Sequence, residues 1–380
     1  MNSPEVSFGI LSSAPPTPCG IATFSTALGQ ALTRQGVKVR LVRVLDSPVA
    51  ESTSPFDVTG ELIADQPKSI EAAIQALNEC DAAVIQHEYG LFGGVDGSDI
   101  LGVLDGLYVP TVAILHTVLQ RPTHHQREIL NSLIRRVDRV VVMTSAAEDT
   151  LRRVNDVGSA LVEVIPHGAA VASSRAGADR TGRPLVLTWG LIGPGKGIEW
   201  MIDALVRLRD LTPQPHYVIA GRTHPKVLAR EGDVYRRSLE ARARFNGVER
   251  MVTFDNSYRD LESLGALISS ADVVVLPYDS SDQATSGVLV DAVAAGRPVV
   301  ATDFPHSREL LATGAGIVVG HRDPVALAGA LRRVLTDQAL STSMAVEARR
   351  IAPSLDWDHV ARQYRTLVTR ISPHVGAAPW

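Results

Sequence analysis

At 380 residues, 45% hydrophobic and 21% charged, the chain is longer than one hydrophobic core usually grows and has ordinary globular composition, so two folded domains are expected rather than one domain or a disordered polymer. A formal charge of −4 removes the global field that draws in nucleic acid, and nucleic acid is excluded as the expected partner. Cys19 and Cys80 stand far apart without metal-ligand spacing, which leaves neither a disulfide framework nor a zinc site and fits a reducing compartment.

The first residues lack a basic start, and their apolar run is broken by Ser and Pro, so they do not read as a signal peptide. No stretch reaches the roughly 18 apolar residues of a spanning helix. A soluble, cytoplasmic protein is expected.

In chain order, the pattern predicts a strand over 6–11, a Pro-rich loop containing Gly20, and a helix over 21–35 stopped by Gly36. Further strands are predicted over 37–44, 82–86, 111–115 and 139–143, with helical segments between them, as in a parallel sheet covered on both faces. Residues 169–183 are small, polar and aperiodic, and are assigned as the linker. A second alternating series follows, with strands over 185–189, 216–220, 251–254, 273–277 and 298–302. Helices are predicted over 198–210, 235–246 and 287–295, and a last one over 357–371. The fold class expected is α/β, two Rossmann-like doubly wound domains with ligand between the carboxyl ends of the sheets.

Two segments carry the chemistry. Trp189-Gly-Leu-Ile-Gly-Pro-Gly-Lys-Gly197 leaves a strand through a glycine loop, presents Lys196 and enters a helix. Glycines let backbone amides approach an anion, the helix start adds partial positive charge, and lysine adds a full one. The alternative is a turn with a surface lysine, but the chain has only Lys38, Lys68, Lys196 and Lys226 among its many arginines. The spacing is not that of a P-loop. In the second segment, Thr285, Ser286 and Gly287 open a helix, where their amides and hydroxyls either cap it or grip a diphosphate. Asp291, one turn on, either accepts from two ribose hydroxyls or complements the helix dipole.

The order and spacing of these segments resemble glycosyltransferase family 4, retaining enzymes of the GT-B fold, over most of the chain. Lys196 and Gly197 match the family's phosphate loop, and residues 292–301 match the segment running into its next strand. Leu191 stands where the family has a phosphate-binding Arg, and Arg222, in Ala-Gly-Arg-Thr-His-Pro, is the candidate substitute. Gln283 and Asp291 occupy the two positions of the family's paired glutamates, so the first site carries no charge. Pro-Gly-Lys-Gly-Ile-Glu, the later Tyr-Arg-Arg-Ser-Leu-Glu-Ala and Gln-Ala-Thr-Ser-Gly resemble a subgroup with these departures.

The resemblance implies residues 1–168 as an acceptor-side domain, 184–356 as the nucleotide-sugar domain, and 357–380 as a helix crossing back to the first domain, with the two domains facing a central cleft. It implies a retaining, metal-independent hexosyl transfer from a nucleotide diphosphate sugar to a hydroxyl acceptor, with no resident cofactor. His116, Lys196, Arg222 and Gln283 are the expected catalytic set. Gly20, Gly190, Lys196, Arg222, Thr285, Ser286, Gly287 and Asp291 are the expected donor contacts. His87, Glu88 and Tyr89, in His-Glu-Tyr-Gly-Leu-Phe-Gly-Gly, are assigned to the acceptor, with a structural turn as the alternative. His167 is assigned to hinge geometry.

Asp356-Trp-Asp358 is a D-x-D string placed on the packing helix rather than at a metal. Arg127, Arg135, Arg136 and Arg139 interleave with apolar residues as on a membrane-resting helix, but a packed helix is favoured over membrane association. Rival activities on the same architecture are a sugar-nucleotide epimerase, a phosphorylase, or a catalytically silent nucleotide-sugar binding module.

Overall fold

A computed structural model of the chain describes residues 6–17, 19–48, 53–155, 157–158, 161–169, 182–257, 259–280 and 283–372. The chain divides into two compact units: residues up to Gly168 together with those from Trp357 onward, and Ala169 to Asp356. Most of the predicted linker, 170–181, lies outside the described residues.

In the first unit the strands are β1 (Ser7–Ser12), β2 (Lys38–Leu45), β3 (Asp57–Ile63), β4 (Ala82–His87), β5 (Thr111–Leu115), β6 (Arg139–Val142) and β7 (Val162–Val164). They form one parallel sheet in the order β3-β2-β1-β4-β5-β6-β7. The helices between them are α1 (Gly20–Arg34), α2 (Pro67–Asn78), α3 (Asp99–Asp105), α4 (His124–Ile134) and α5 (Ser145–Val154). Every residue of β4 and β5 is buried, as a sheet covered on both faces requires.

The second unit repeats the plan. Its strands are β8 (Leu185–Trp189), β9 (His216–Ala220), β10 (Val252–Asp255), β11 (Val273–Leu276), β12 (Val299–Thr302) and β13 (Gly316–Val319), in the order β10-β9-β8-β11-β12-β13. Its helices are α6 (Ile198–Leu205), α7 (Pro225–Glu231), α8 (Val234–Phe245), α9 (Leu261–Ser270), α10 (Gly287–Ala294), α11 (Pro305–Leu311), α12 (Pro324–Thr336) and α13 (Gln338–Leu355). One apolar cluster gathers Ile198, Met201, Leu239 and Leu331 on one face of the sheet, and another gathers Leu289, Val293, Phe304 and Leu355 on the other.

The last helix, α14 (Trp357–Ile371), packs on α1 in the first unit through Val360, Tyr364, Leu367 and Val368, all at most 1% exposed. Burying each of these side chains contributes about 1.5–3 kcal/mol. Trp357 fills the space over Gly168, where an added Cβ would lie 2.3 Å from the indole, so only glycine fits there. Asp358 pairs with Arg34 at 2.5 Å, which makes the D-x-D string a helix-start anchor. On α4, Ile129, Leu130, Leu133 and Ile134 are buried, and Arg136 pairs with Asp105. Among the described residues no helix is long and apolar enough to cross a membrane.

The sequence-based expectation of two doubly wound parallel α/β domains is met. Three strands escape it, β3, β7 and β13, all edge members with incomplete burial. The helix predicted over 198–210 ends at Leu205 and tightens into a 3-10 turn over Val206–Leu208.

Candidate functional site

In both units the strand order reverses direction beside the first strand, and ligands of such sheets lie at the carboxyl ends of the strands flanking that reversal. In the second unit the flanking strands are β8 and β11. The loop after β8 is the glycine segment carrying Lys196, and the loop after β11 leads into α10.

These loops are drawn together by close backbone approach. Gly197 has φ 63°, and a Cβ there would lie 1.8 Å from the Pro277 carbonyl oxygen. The Asp279 N–H donates to the Gly195 carbonyl at 2.9 Å, joining the two loops across the reversal. On the other side, Gly221 abuts Gly190, where a Cβ would lie 1.8 Å from the Gly190 oxygen. Ile192 donates to Arg222 O at 2.8 Å and His224 to Ile192 O at 2.8 Å, so the loop after β9 runs alongside. Gly190 itself, at φ 112°, faces Val288 in the first turn of α10.

Lys196 is half-buried at the entry to α6, and its ammonium sits 4.4 Å above the centre of the Tyr278 ring. It makes no ion pair with any described residue. Arg222 is exposed, and its Nε donates to Asn256 O at 3.4 Å. The α6 start is held from behind: the Tyr235 hydroxyl donates to Glu199 at 2.7 Å, and Arg242 and Asn246 both bind Asp203.

At the start of α10 the Ser286 hydroxyl accepts from the Leu289 N–H at 3.3 Å, capping the helix. The Ser286 N–H donates to His306 Nδ1 at 2.9 Å. This corrects the expectation that the Ser286 amide is offered to a diphosphate: His306, nearly buried on α11, already occupies it. Thr285 and Gly287 remain partly exposed. The Gln283 side-chain amide nitrogen donates to Thr285 O at 2.9 Å. Asp291 retains partial exposure and has no hydrogen bond or ion pair from its carboxyl group among the described residues; burial pushes its pKa up to about 7.

The first unit presents its own set at the ends of β1, β4 and β5. Gly20 is the first residue of α1, exposed, with open space where a Cβ would stand. His116, just beyond β5, bonds through Nε2 to the Gln86 side-chain oxygen at 2.6 Å, and since that oxygen can only accept, Nε2 carries the proton. Burial first, then the neighbouring His167 and His87, lowers its pKa to about 3, so the ring is neutral with its Nδ1 lone pair available. Phe24 packs edge-on against both His116 and His167.

Glu88 accepts from the Thr117 hydroxyl at 2.5 Å and from the Tyr89 N–H at 3.0 Å. Glu88 and Tyr89 are half-buried, but His87 is completely buried. The assignment of His87 to direct acceptor contact is thereby corrected. It ends β4, and its ring faces inward onto Tyr89 and Phe92, at 5.2 Å and 6.5 Å between ring centres. Burial lowers its pKa to about 4, and neither ring nitrogen has a described partner. His167 Nδ1 donates to the Gly168 carbonyl oxygen at 2.6 Å, beside Trp357.

Three residues of the second unit escaped sequence reading. Tyr278 and His306 sit at strand and helix ends that carry no motif of their own. His321 bridges Tyr278 O and Asp303 O, each at 2.9 Å. A histidine among surface-like residues gives no signal in the sequence alone. Among the described residues no group of three or more acidic, His or Cys side chains is arranged to hold a metal ion.

Two family models match the chain: "Glycosyl transferases group 1" over residues 183–337 and "Glycosyltransferase Family 4" over residues 18–173. The chain is 32% identical over 233 residues to glycogen synthase of Mycobacterium tuberculosis, covering 60% of this chain and 53% of that protein. It thus spans about half the length of that relative. It is 28% identical over 272 residues to the phosphatidyl-myo-inositol mannosyltransferase of Mycobacterium leprae, covering 68% of each. The solved structure of Anabaena HepE in complex with UDP superposes with a TM-score of 0.76 at 18% identity, over 96% of this chain and all of that one. At that identity the likeness establishes the fold alone, and the fold is GT-B.

Proposed function

The chain belongs to the group 1, family 4 glycosyltransferases, and we propose that it moves a hexose, with retention and without a metal, from a nucleotide diphosphate sugar to a hydroxyl acceptor. The observation that carries this reading is the unpaired Lys196 at the start of α6, in a glycine loop at the strand-order reversal. An anion with two phosphates suits that position, because a glycine loop, a helix start and a full positive charge stand together there.

Lys196 and Arg222 take the diphosphate, with Gly190 and Gly287 allowing its close approach and Thr285 adding a hydroxyl. Asp291 accepts from the ribose hydroxyls. Gln283 and the neutral His116 hydrogen-bond the transferred sugar. Gly20 admits the donor phosphate beside the α1 start, and Glu88 and Tyr89 contact the acceptor, with His87 supporting them from beneath.

As the bond from the anomeric carbon to the diphosphate oxygen breaks, its electron pair stays on the diphosphate, and Lys196 and Arg222 stabilise the charge. The acceptor oxygen bonds the same face of that carbon and gives its proton to the departing phosphate oxygen. Gln283, being neutral, is no nucleophile, which favours this route over a covalent glycosyl-enzyme.

UDP is the nucleotide to try first, since HepE is a complex with UDP. The test is NMR of the protein incubated with UDP-glucose, GDP-mannose or ADP-glucose and a panel of hydroxyl acceptors. A new glycoside in the donor's own anomeric configuration supports the proposal; inverted product, or none with any donor, contradicts it.

A further inference from the structure

We propose that Tyr278 is a positioning residue for Lys196, holding its ammonium on the ring face so that the charge stays available to a diphosphate. The inference rests on the reading of Lys196 as a diphosphate ligand. The ammonium stands 4.4 Å from the ring centre, within the range where the ring's negative face attracts a cation.

Tyr278 is a fixed platform. It is 1% exposed and stacks on Phe304 with ring centres 5.3 Å apart and planes 28° from parallel. Its carbonyl oxygen accepts from Thr302 Oγ1 at 2.6 Å and from His321 Nδ1 at 2.9 Å, and the next residue, Asp279, is bonded to Gly195 in the lysine's own loop.

The surrounding carboxylates are already engaged. Asp279 accepts from Arg322 Nε at 2.6 Å, and Glu199 accepts from the Tyr235 hydroxyl at 2.7 Å. A lysine with an acidic partner would have to break that pair before binding phosphate. A lysine on an aromatic face surrenders a weaker contact, and the ring limits the rotamers it must lose on binding. The Tyr278 hydroxyl is buried with no described partner, so the ring and not the hydroxyl carries the role.

Calorimetry of the whole protein with UDP and with uridine, on wild type, Tyr278→Leu, Tyr278→Phe and Lys196→Ala, tests the proposal. Tyr278→Leu is expected to weaken UDP roughly fivefold, equivalent to about 1 kcal/mol, and to leave uridine unchanged, while Tyr278→Phe retains wild-type affinity. Equal losses for UDP and uridine, or a UDP loss in Lys196→Ala with none in Tyr278→Leu, overturn it. If Lys196→Ala is itself without effect, the reading beneath fails as well.

Should Tyr278→Leu not fold, NMR of wild-type protein with labelled lysine decides. The chain has four lysines, and the signal abolished by Lys196→Arg identifies the one concerned. Its ε-methylene protons are expected upfield of the other three through the ring current of Tyr278, and to move on adding UDP. An unshifted signal overturns the inference.

Discussion

The Tyr235 hydroxyl donates to Glu199 Oε2 at 2.7 Å, tying α8 to the first turn of the helix that begins just after Lys196. Two segments separated by 36 residues in sequence thus meet behind the phosphate loop. Burial first, then the bond to Glu199, raises the tyrosine pKa, so the hydroxyl stays protonated and donating. Tyr235→Phe leaves a half-buried carboxylate short of one donor, and should lower unfolding free energy by about 1–2 kcal/mol. Denaturant unfolding checks this, and an unchanged midpoint would show the bond to be incidental.

Asp291 is expected to couple pH to stability and, in the proposed site, to binding. Its native pKa of about 7 lies above the usual carboxylate value because burial disfavours the charge. A proton is held more tightly in the folded state, so its stabilising contribution is full below the unfolded pKa and is lost as pH rises through 7. Asp291→Asn should therefore be more stable than wild type at pH 8, by on the order of a few kcal/mol, and the gap should shrink at pH 5. Thermal unfolding at the two pH values measures it.

The same ionisation bears on the proposed ribose contact. A carboxylate accepts from both hydroxyls, whereas the protonated acid accepts less well. The affinity advantage of wild type over Asp291→Asn for UDP should grow between pH 6 and pH 8. Taking the ratio cancels the titration of the ligand's own phosphate. A ratio that stays flat, or equal losses for UDP and pyrophosphate, contradicts ribose contact.

In the proposed site, Arg222 substitutes for the charge missing at Leu191. Arg222→Ala should raise the UDP dissociation constant at least about tenfold, or 1.4 kcal/mol. A smaller change ends the idea of compensation.

His116 acts as a neutral ring with Nε2–H fixed by Gln86. His116→Ala should lower kcat about 100-fold, the lower end of what a positioned side chain supplies, with UDP affinity unchanged. Because the ring is neutral well above pH 3, no ionisation of His116 should appear in the rate profile between pH 6 and 9. A basic limb near pH 6.5 that vanishes in the variant would contradict this protonation state.

Most of the architecture was legible because buried parallel strands are short apolar runs, as in Val273–Leu276, and helix stops such as Gly36 follow from backbone geometry. Edge strands β3, β7 and β13 lack that signal, since one side of each is relieved of burial. The helix starts after the glycine loop and at Ser286 were legible because glycine turns and Ser or Thr caps are local signals. The commitments of Ser286 to His306 and of Lys196 to Tyr278 were not, because each joins groups 20 residues or more apart and nothing in either segment names its partner. The inward turn of His87 was hidden for a related reason: at a strand end, periodicity does not say which face the last side chain takes.

The most direct test of the donor site is calorimetric titration with UDP, GDP and ADP, without metal and then with magnesium, on wild type and Lys196→Ala. One nucleotide is expected to bind tightly without metal, magnesium to add little, and Lys196→Ala to weaken binding at least about tenfold. Binding of none of the three, or binding indifferent to Lys196, would contradict the proposed donor site.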